Sequence, residues 1–182
     1  MELIKTDIDG VVILKPRVFG DSRGYFIESY NKDVFDSLVG QVEFVQDNES
    51  CSTRGVVRGL HFQLPPYAQA KLVRCVSGRV LDVAVDLRCA SPTYGQHVAV
   101  ELSGENRLQL FIPRGFAHGF SVLSDTAVFQ YKCDNLYHPE SEGGISANDP
   151  SLGIDWKIDL STATMSDKDL HRPMLEDFDS PF

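Results

Sequence analysis

Paired cysteines are missing from this chain. Its four cysteines (Cys51, Cys75, Cys89 and Cys133) stand far apart with no C-x-x-C between them, which argues against a zinc framework and against a disulfide-dense secreted scaffold. Long apolar runs are missing too. The opening "MELIKTDIDG" has no signal-peptide core, and no stretch approaches bilayer length. Basic charge is scarce, with 17 Lys and Arg against 26 Asp and Glu and a net charge of −9. That balance argues against nucleic acid or an anionic membrane as the main partner. No G-x-G-x-x-G occurs, so nothing points to a nicotinamide cofactor. Repeats, low-complexity blocks and linkers are also absent. The 182 residues, 42% of them hydrophobic, suit one domain with a real core. A reduced, cytoplasmic, soluble protein is the expectation.

Turn signals recur at short intervals: "DG" at 9–10, "SRG" at 22–24, "SG" at 77–78, "SPTYG" at 91–95, "SGEN" at 103–106 and "PRG" at 113–115. Between them lie runs with a period of two. "RVLDVAVDLR" (79–88) sets Leu81, Val83, Val85 and Leu87 against Asp82, Ala84 and Asp86. "RLQLFIP" (107–113) sets Leu108, Leu110 and Ile112 against Gln109 and Phe111. Alternation punctuated this regularly predicts an antiparallel sandwich or barrel. Helix is scarce. "NKDVFDSLVG" (31–40) predicts one short helix with Asn31 as cap and Gly40 as stop, and Ser166 in "SDKDLH" (166–171) is a possible cap for a second turn. The fold class is all-β with small helical additions.

Two cassettes concentrate the chemistry: "RGLH" (58–61) and "PRGFAH" (113–118), each ending in a histidine behind an arginine and a glycine. Around the first, "QDNES" (46–50), Arg58, His61 and Lys71 gather cations and amides within about one strand pair. Its bland reading is a basic edge strand that blunts aggregation. Against that, Arg58 and His61 break the strand's parity, and a bulge at Gly59 would return them to one face. For the second cassette the bland reading is a core histidine bonded to a carbonyl. Its P-x-G-x-x-H spacing, however, is similar to the second motif of the cupins, in which that histidine joins two others and a glutamate to hold a metal.

A metal needs several convergent donors. Here the first cassette continues His61-Phe62-Gln63, and the next twelve residues contain no Asp or Glu. Lys71 lies where a cation would be repelled, and His97, His138 and His171 sit in unrelated contexts. A metal-dependent cupin enzyme is therefore the runner-up. Without a metal, the same residues suit proton abstraction beside a carbonyl. Histidine is a base whose ordinary pKa lies near working pH, and Lys71 can stabilise an enolate oxygen. "FQYKCDNLY" (129–137) offers Tyr131 and Tyr137 as acids, although strand tyrosines usually only pack. Arginines and a second histidine would hold phosphates.

With those residues in view, the whole chain resembles a known family. "DSRGYFIESYN", "VQDNES", "GVVRGLHFQ", "QAKLV", "DVAVDLR", "SPTYG", "LSGENRLQLFIPRGFAHGF", "YKCDNLYHP" and "SDKD" look like the dTDP-4-dehydrorhamnose 3,5-epimerases, metal-free cupin-type enzymes that need no cofactor. The resemblance implies a cupin-like jelly-roll barrel in one domain spanning 1–182, with its core at about residues 40–135. N-terminal strands and a C-terminal segment would complete the site and a homodimer, whose partner supplies residues to each site. It implies inversion of C3 and C5 of dTDP-4-dehydro-6-deoxy-D-glucose to give dTDP-4-dehydro-L-rhamnose. His61 resembles the base, Tyr131 the acid, Asp169 the carboxylate behind the histidine, and Lys71 the residue beside the C4 oxygen. Arg23, Glu28, Gln46, Asp47, Asn48, Arg58, His118, Glu142 and Lys168 match substrate-contacting positions, and Tyr137 a stacking or sugar-facing tyrosine.

Two departures stand out. Ala147 in "GISANDP" occupies a position where the family usually has tryptophan, and Lys157 follows Trp156 where it usually has proline. Losing a buried indole removes packing worth on the order of a few kcal/mol, so the C-terminal wall is expected to differ in shape. Inversion of a single carbon, or action on a related dTDP-4-keto sugar, is the neighbouring alternative. A sugar-nucleotide binding module, in which His61 and Tyr131 merely pack, is the non-enzymatic one.

Overall fold

The short alternating runs fold as strands throughout. The computed structural model describes residues 1–182. In chain order the strands are β1 (Glu2–Lys5), β2 (Val12–Lys15), β3 (Val18–Asp21), β4 (Gly24–Ile27), β5 (Gln46–Thr53), β6 (Val57–Gln63), β7 (Lys71–Ser77), β8 (Arg79–Asp86), β9 (His97–Ser103), β10 (Gln109–Ile112), β11 (Phe116–Val122), β12 (Thr126–Cys133) and β13 (Glu142–Gly144). A six-stranded antiparallel sheet runs β1-β2-β10-β7-β12-β5, and a five-stranded one runs β13-β6-β11-β8-β9. Strands β3 and β4 form a separate hairpin. The two large sheets face each other as a jelly-roll barrel. No helix is long and apolar enough to cross a membrane.

Three apolar layers hold the sheets together. Between them, Val73, Leu110, Ile112 and Phe129 of the first sheet meet Val80, Ala84, Phe116 and Phe120 of the second. The alternation of β8 carries an unexpected consequence. Its predicted apolar face, Leu81, Val83, Val85 and Leu87, points out of the barrel and packs under the C-terminal segment against Ile145, Trp156 and Phe178. The inward face of β8 therefore carries Asp82 into the barrel, where that carboxylate is fully buried. A third cluster covers the outside of the first sheet. There Phe35 meets Phe44 and Phe111 edge-on, with ring centroids 5.4 Å apart in each case. Phe35 is the buried residue of helix α1 (Lys32–Leu38), whose cap Asn31 accepts from the Val34 amide as the sequence predicts. Ser166 likewise caps a one-turn helix, α2 (Asp167–Leu170).

At the end of β8, Asp86 organises the connection to β9. It accepts hydrogen bonds from the Arg88 amide and guanidinium and from the Ser91 and Thr93 hydroxyls. Burial alone would push Asp86 up, but these donors outweigh it and hold the carboxyl at about 2. The ionised form stabilises the fold fully above the ordinary value of 3.8, and its contribution is lost as the pH falls from there through the folded value. Its size is about 2 kcal/mol. Asp86→Asn is expected to lower the melting temperature at pH 7 by several degrees. The gap to wild type should close between pH 4 and pH 2, as read by thermal melts across that range.

Candidate active site

The two histidine cassettes are neighbours in space. β6 and β11 pair antiparallel with His61 opposite His118 and Arg58 opposite Phe120. β6 therefore spends three steps where β11 spends two, which is the bulge expected at Gly59. Arg58 and His61 return to one face and line the same cavity. Gly59 has φ +123°, and a Cβ there would stand 2.5 Å from Gly119 Cα; one on Gly119 would stand 2.6 Å from the Arg58 carbonyl oxygen. Both positions need glycine. β6 lies between β13 and β11, so the aggregation-blunting edge strand is ruled out.

The cavity, of about 360 Å³, opens between the two sheets. Asn48, Arg58, His61, Lys71, His118 and Tyr131 line it, with Tyr137 and Glu142 at its mouth. His61 is half-buried. Its Nε2 lies 2.5 Å from Oδ1 of Asp169, which α2 holds almost fully buried. Burial works against the Asp169 charge, but His61, the Ser166 side chain and the Gly59 amide outweigh it and hold the carboxyl below its usual range. A carboxylate only accepts, so His61 donates from Nε2 and keeps Nδ1 as the free basic nitrogen. Opposite, burial pushes the Tyr131 phenol up to about 12. The Lys71 ammonium sits 5.7 Å from the Tyr131 ring centroid, and burial lowers its pKa from the lysine norm. Arg58 Nε donates to Ser52 Oγ at 3.0 Å, which aims the guanidinium.

His118 was expected to hold phosphate, but the barrel buries it at the cavity floor, 6% exposed. Its Nε2 is 2.9 Å from Asp82 Oδ2. That depth puts its ring against the cavity's innermost wall.

The remaining expected positions surround the cavity without lining it. Gln46 Nε2 donates to Asn48 Oδ1, and its own Oε1 accepts from the Tyr137 amide. Lys168 reaches Glu142 at the rim. Asp47 faces outward and pairs with Lys132. Arg23 lies on the β3–β4 hairpin, paired with Asp21 and largely exposed, and Glu28 follows that hairpin; neither lines the cavity of its own chain.

Several site residues went unread in the sequence. Gln63, which completes the first cassette's strand, ties β6 to two loops by donating to the Tyr67 and Leu136 carbonyls and accepting from the His138 amide. Arg172 donates to Glu142 Oε1 at 2.6 Å, and the Tyr137 hydroxyl donates to Glu142 Oε2 at 2.7 Å. No spacing rule points to Arg172. Ala147 and Lys157 both lie away from the cavity. Ala147 is buried in the outer layer, where its carbonyl accepts from Trp156 Nε1 at 2.9 Å, and Lys157 pairs with Asp155 on the surface. The expected change in the C-terminal wall is therefore confined to the outer layer. No group of three or more His, Cys, Asp or Glu side chains converges as metal donors would.

Known proteins resemble this chain along nearly its whole length. The family model described as dTDP-4-dehydrorhamnose 3,5-epimerase matches residues 5–177. A dTDP-4-dehydrorhamnose 3,5-epimerase of Shigella flexneri is 56% identical over 180 residues, covering 98% of either chain. The crystal structure of dTDP-4-dehydrorhamnose 3,5-epimerase from Elizabethkingia anophelis NUHP1 superimposes with a TM-score of 0.93 at 55% identity, over 97% of both chains. That of a dTDP-6-deoxy-D-glucose-3,5-epimerase from Legionella pneumophila Philadelphia 1, in complex with dTDP-4-keto-L-rhamnose, gives 0.94 at 49% identity, over 98% of this chain and 94% of the other. A family model that matches residues 5–177, with a relative 56% identical over nearly the full length and a barrel that superimposes on solved members, places the chain in the dTDP-4-dehydrorhamnose 3,5-epimerase family.

Proposed function

We propose that the protein inverts C3 and C5 of dTDP-4-dehydro-6-deoxy-D-glucose, yielding dTDP-4-dehydro-L-rhamnose. One observation carries the proposal: His61 and Tyr131 line a single cavity from opposite sheets, one with its Nδ1 left free by the bond from Nε2 to Asp169 and the other kept protonated by burial. Nδ1 of His61 takes the proton from a carbon next to the C4 ketone. The electron pair moves onto the C4 oxygen, where the Lys71 ammonium stabilises the enolate. Tyr131 then delivers its proton to the other face, and the configuration inverts. A second cycle at the other α-carbon needs only that the ring turn before the same pair. Solvent returns the phenol and the imidazole to their starting states, so no electrons are gained or lost.

Arg58, Asn48 and Gln46 serve the rest of the substrate on this reading, with the nucleotide lying over the mouth beside Tyr137. Glu142 and Lys168 flank it there. Arg23 and Glu28, on the hairpin and just after it, would serve the site of a second copy in a homodimer, as would Asp47 on its outward face. The hairpin's exposed Phe19, Tyr25 and Phe26 support such a contact.

In D₂O the wild type is expected to incorporate deuterium at both C3 and C5 of the product, and His61→Ala at neither; NMR of the sugar reads this directly. Exchange that persists undiminished in His61→Ala would overturn the assignment of the base, and label at one carbon alone would make the enzyme a mono-epimerase. Tyr131→Phe keeps the base, so exchange should continue while inversion falls by about 10²-fold or more.

The rate should also report Lys71. Because burial lowers its pKa, the ammonium is lost at a lower pH than that of a free lysine, and kcat should fall as pH rises through that value. Tyr131, at about 12, remains protonated throughout. Lys71→Arg, whose charge persists, is expected to work more slowly at neutral pH yet to extend its activity further into the alkaline range. An alkaline limb unchanged by this substitution would assign it to another group.

A further inference from the structure

The barrel holds two aspartate–histidine pairs, one behind each cassette histidine, and their surroundings are opposite. Asp169 accepts from several donors and lies at the edge of the site. Asp82 has no exposed surface. It alternates along β8 with Val80 and Ala84, which places it on the face that meets Phe120 and Phe129 in the core between the sheets. Its Oδ2 meets His118 Nε2, while its Oδ1 has no hydrogen-bond partner at all. An anionic oxygen left bare in an apolar core is far costlier than a bare carbonyl oxygen. A proton held on Oδ2 and donated to Nε2 turns Oδ1 into the cheaper of the two.

We propose that Asp82 is a positioning residue that keeps this proton between its Oδ2 and His118 Nε2, so that the imidazole carries its own hydrogen on Nδ1 and offers it to the cavity as an uncharged donor. Its acceptor is the C4 oxygen as it becomes an enolate, shared with Lys71. The inference rests on the epimerase reading above for that acceptor but not for the proton's place. Burial favours the same arrangement, raising Asp82 and lowering His118. Lys71 opposes it at Asp82, whereas Lys71 and His61 favour it at His118; of the remaining groups, only the Cys75 thiol, itself pushed up to about 11, stands close to Asp82. In each pair the histidine's free nitrogen follows from its aspartate. Ionised Asp169 leaves His61 a bare Nδ1, a base; protonated Asp82 leaves His118 an Nδ1–H, a donor. Opposed environments thus give two like pairs opposite tasks.

¹⁵N-histidine NMR of the wild type at pH 7, with the His118 signals identified by their absence in His118→Gln, tests the proton's place directly. A protonated Nδ1 on His118 is expected. A bare Nδ1 with the hydrogen on Nε2 would overturn the proposal, whatever the substrate proves to be. Asp82→Asn supplies the kinetic arm, because its amide donates to Nε2 as the protonated acid does. It should retain kcat within about tenfold and the same Nδ1–H signal, while Asp82→Ala should lose about 10²-fold, the size of one oxyanion donor. A folded Asp82→Asn that is as slow as Asp82→Ala would show that a charged carboxylate is required, and the proposal would fall. Should Asp82→Ala not fold, the wild-type and Asp82→Asn spectra decide. Absence of any solvent exchange by the wild type would instead count against the epimerase reading and leave the tautomer result standing.

Discussion

Everything in the site depends on how closely β6 approaches β11. Two glycines face each other there, Gly59 and Gly119, at a separation that admits no Cβ on either. That contact lets the strands pair across a bulge, sets His61 directly opposite His118, and turns Arg58 back onto the face of His61. A side chain on either glycine would push the sheet open by an ångström or more, and the two imidazoles would no longer share a cavity. The glycine beside each cassette histidine that makes this approach possible is Gly59 in the first strand and Gly119, just after His118, in the second. Gly59 and Gly119 make room, and the two histidines line one cavity because the strands are close.

Around that floor the charges are sorted. The molecule as a whole is acidic, with a net charge of −9, but the groups that face one another across the cavity are Lys71, Arg58, two imidazoles and a phenol. Asp169 and Asp82 stand behind the two histidines, and Glu142 lies at the rim, where it is met by Arg172, Lys168 and Tyr137. A cationic, poorly hydrated interior suits a substrate whose reactive form is an enolate and whose other end carries a diphosphate, since the local field acts most strongly where water is excluded. The same exclusion of water raises the phenol and lowers the ammonium, so one physical cause produces both an acid that stays protonated and a cation that is costly to keep.

Much of this was legible in residue order. The period of two in 79–88 and 107–113, the turn residues between runs, and the caps Asn31 and Ser166 each translate into structure by local rules. Parity around Gly59 was legible as a conflict that only a bulge could resolve. In "QDNES" the alternation also sorts the residues by face: Gln46 and Asn48 lie on the inner face while Asp47 points outward to Lys132. What could not be read was which face of β8 is the barrel's interior. Its aliphatic face is normally the core face, yet here a C-terminal layer lies outside the barrel and claims Leu81, Val83 and Val85, so Asp82 goes inward. That inversion needs Trp156 and Phe178, more than seventy residues away. Arg172 was hidden for the same reason, because its partner Glu142 is met only after the C-terminal segment has folded back.

The outer layer also holds the Ala147 position, apart from the cavity. Ala147 contributes to the layer that presses on the outside of the five-stranded sheet, and its nearest polar partner is the indole nitrogen of Trp156. The layer seats residues 166–170 so that Asp169 reaches His61 beside the Gly59 amide, and the bond from the Val57 amide to the Thr164 carbonyl and the Ser166 cap fix that seating locally. Side-chain volume at 147 changes how tightly the layer packs, but the path from Thr164 to Asp169 is anchored to β6 by backbone. The site is thus insulated from its own cladding: the layer supplies stability through area, while the few hydrogen bonds at Val57 and Ser166 supply the position. For that reason the departures at 147 and 157 belong to the energetics of the fold, since neither residue lines the cavity.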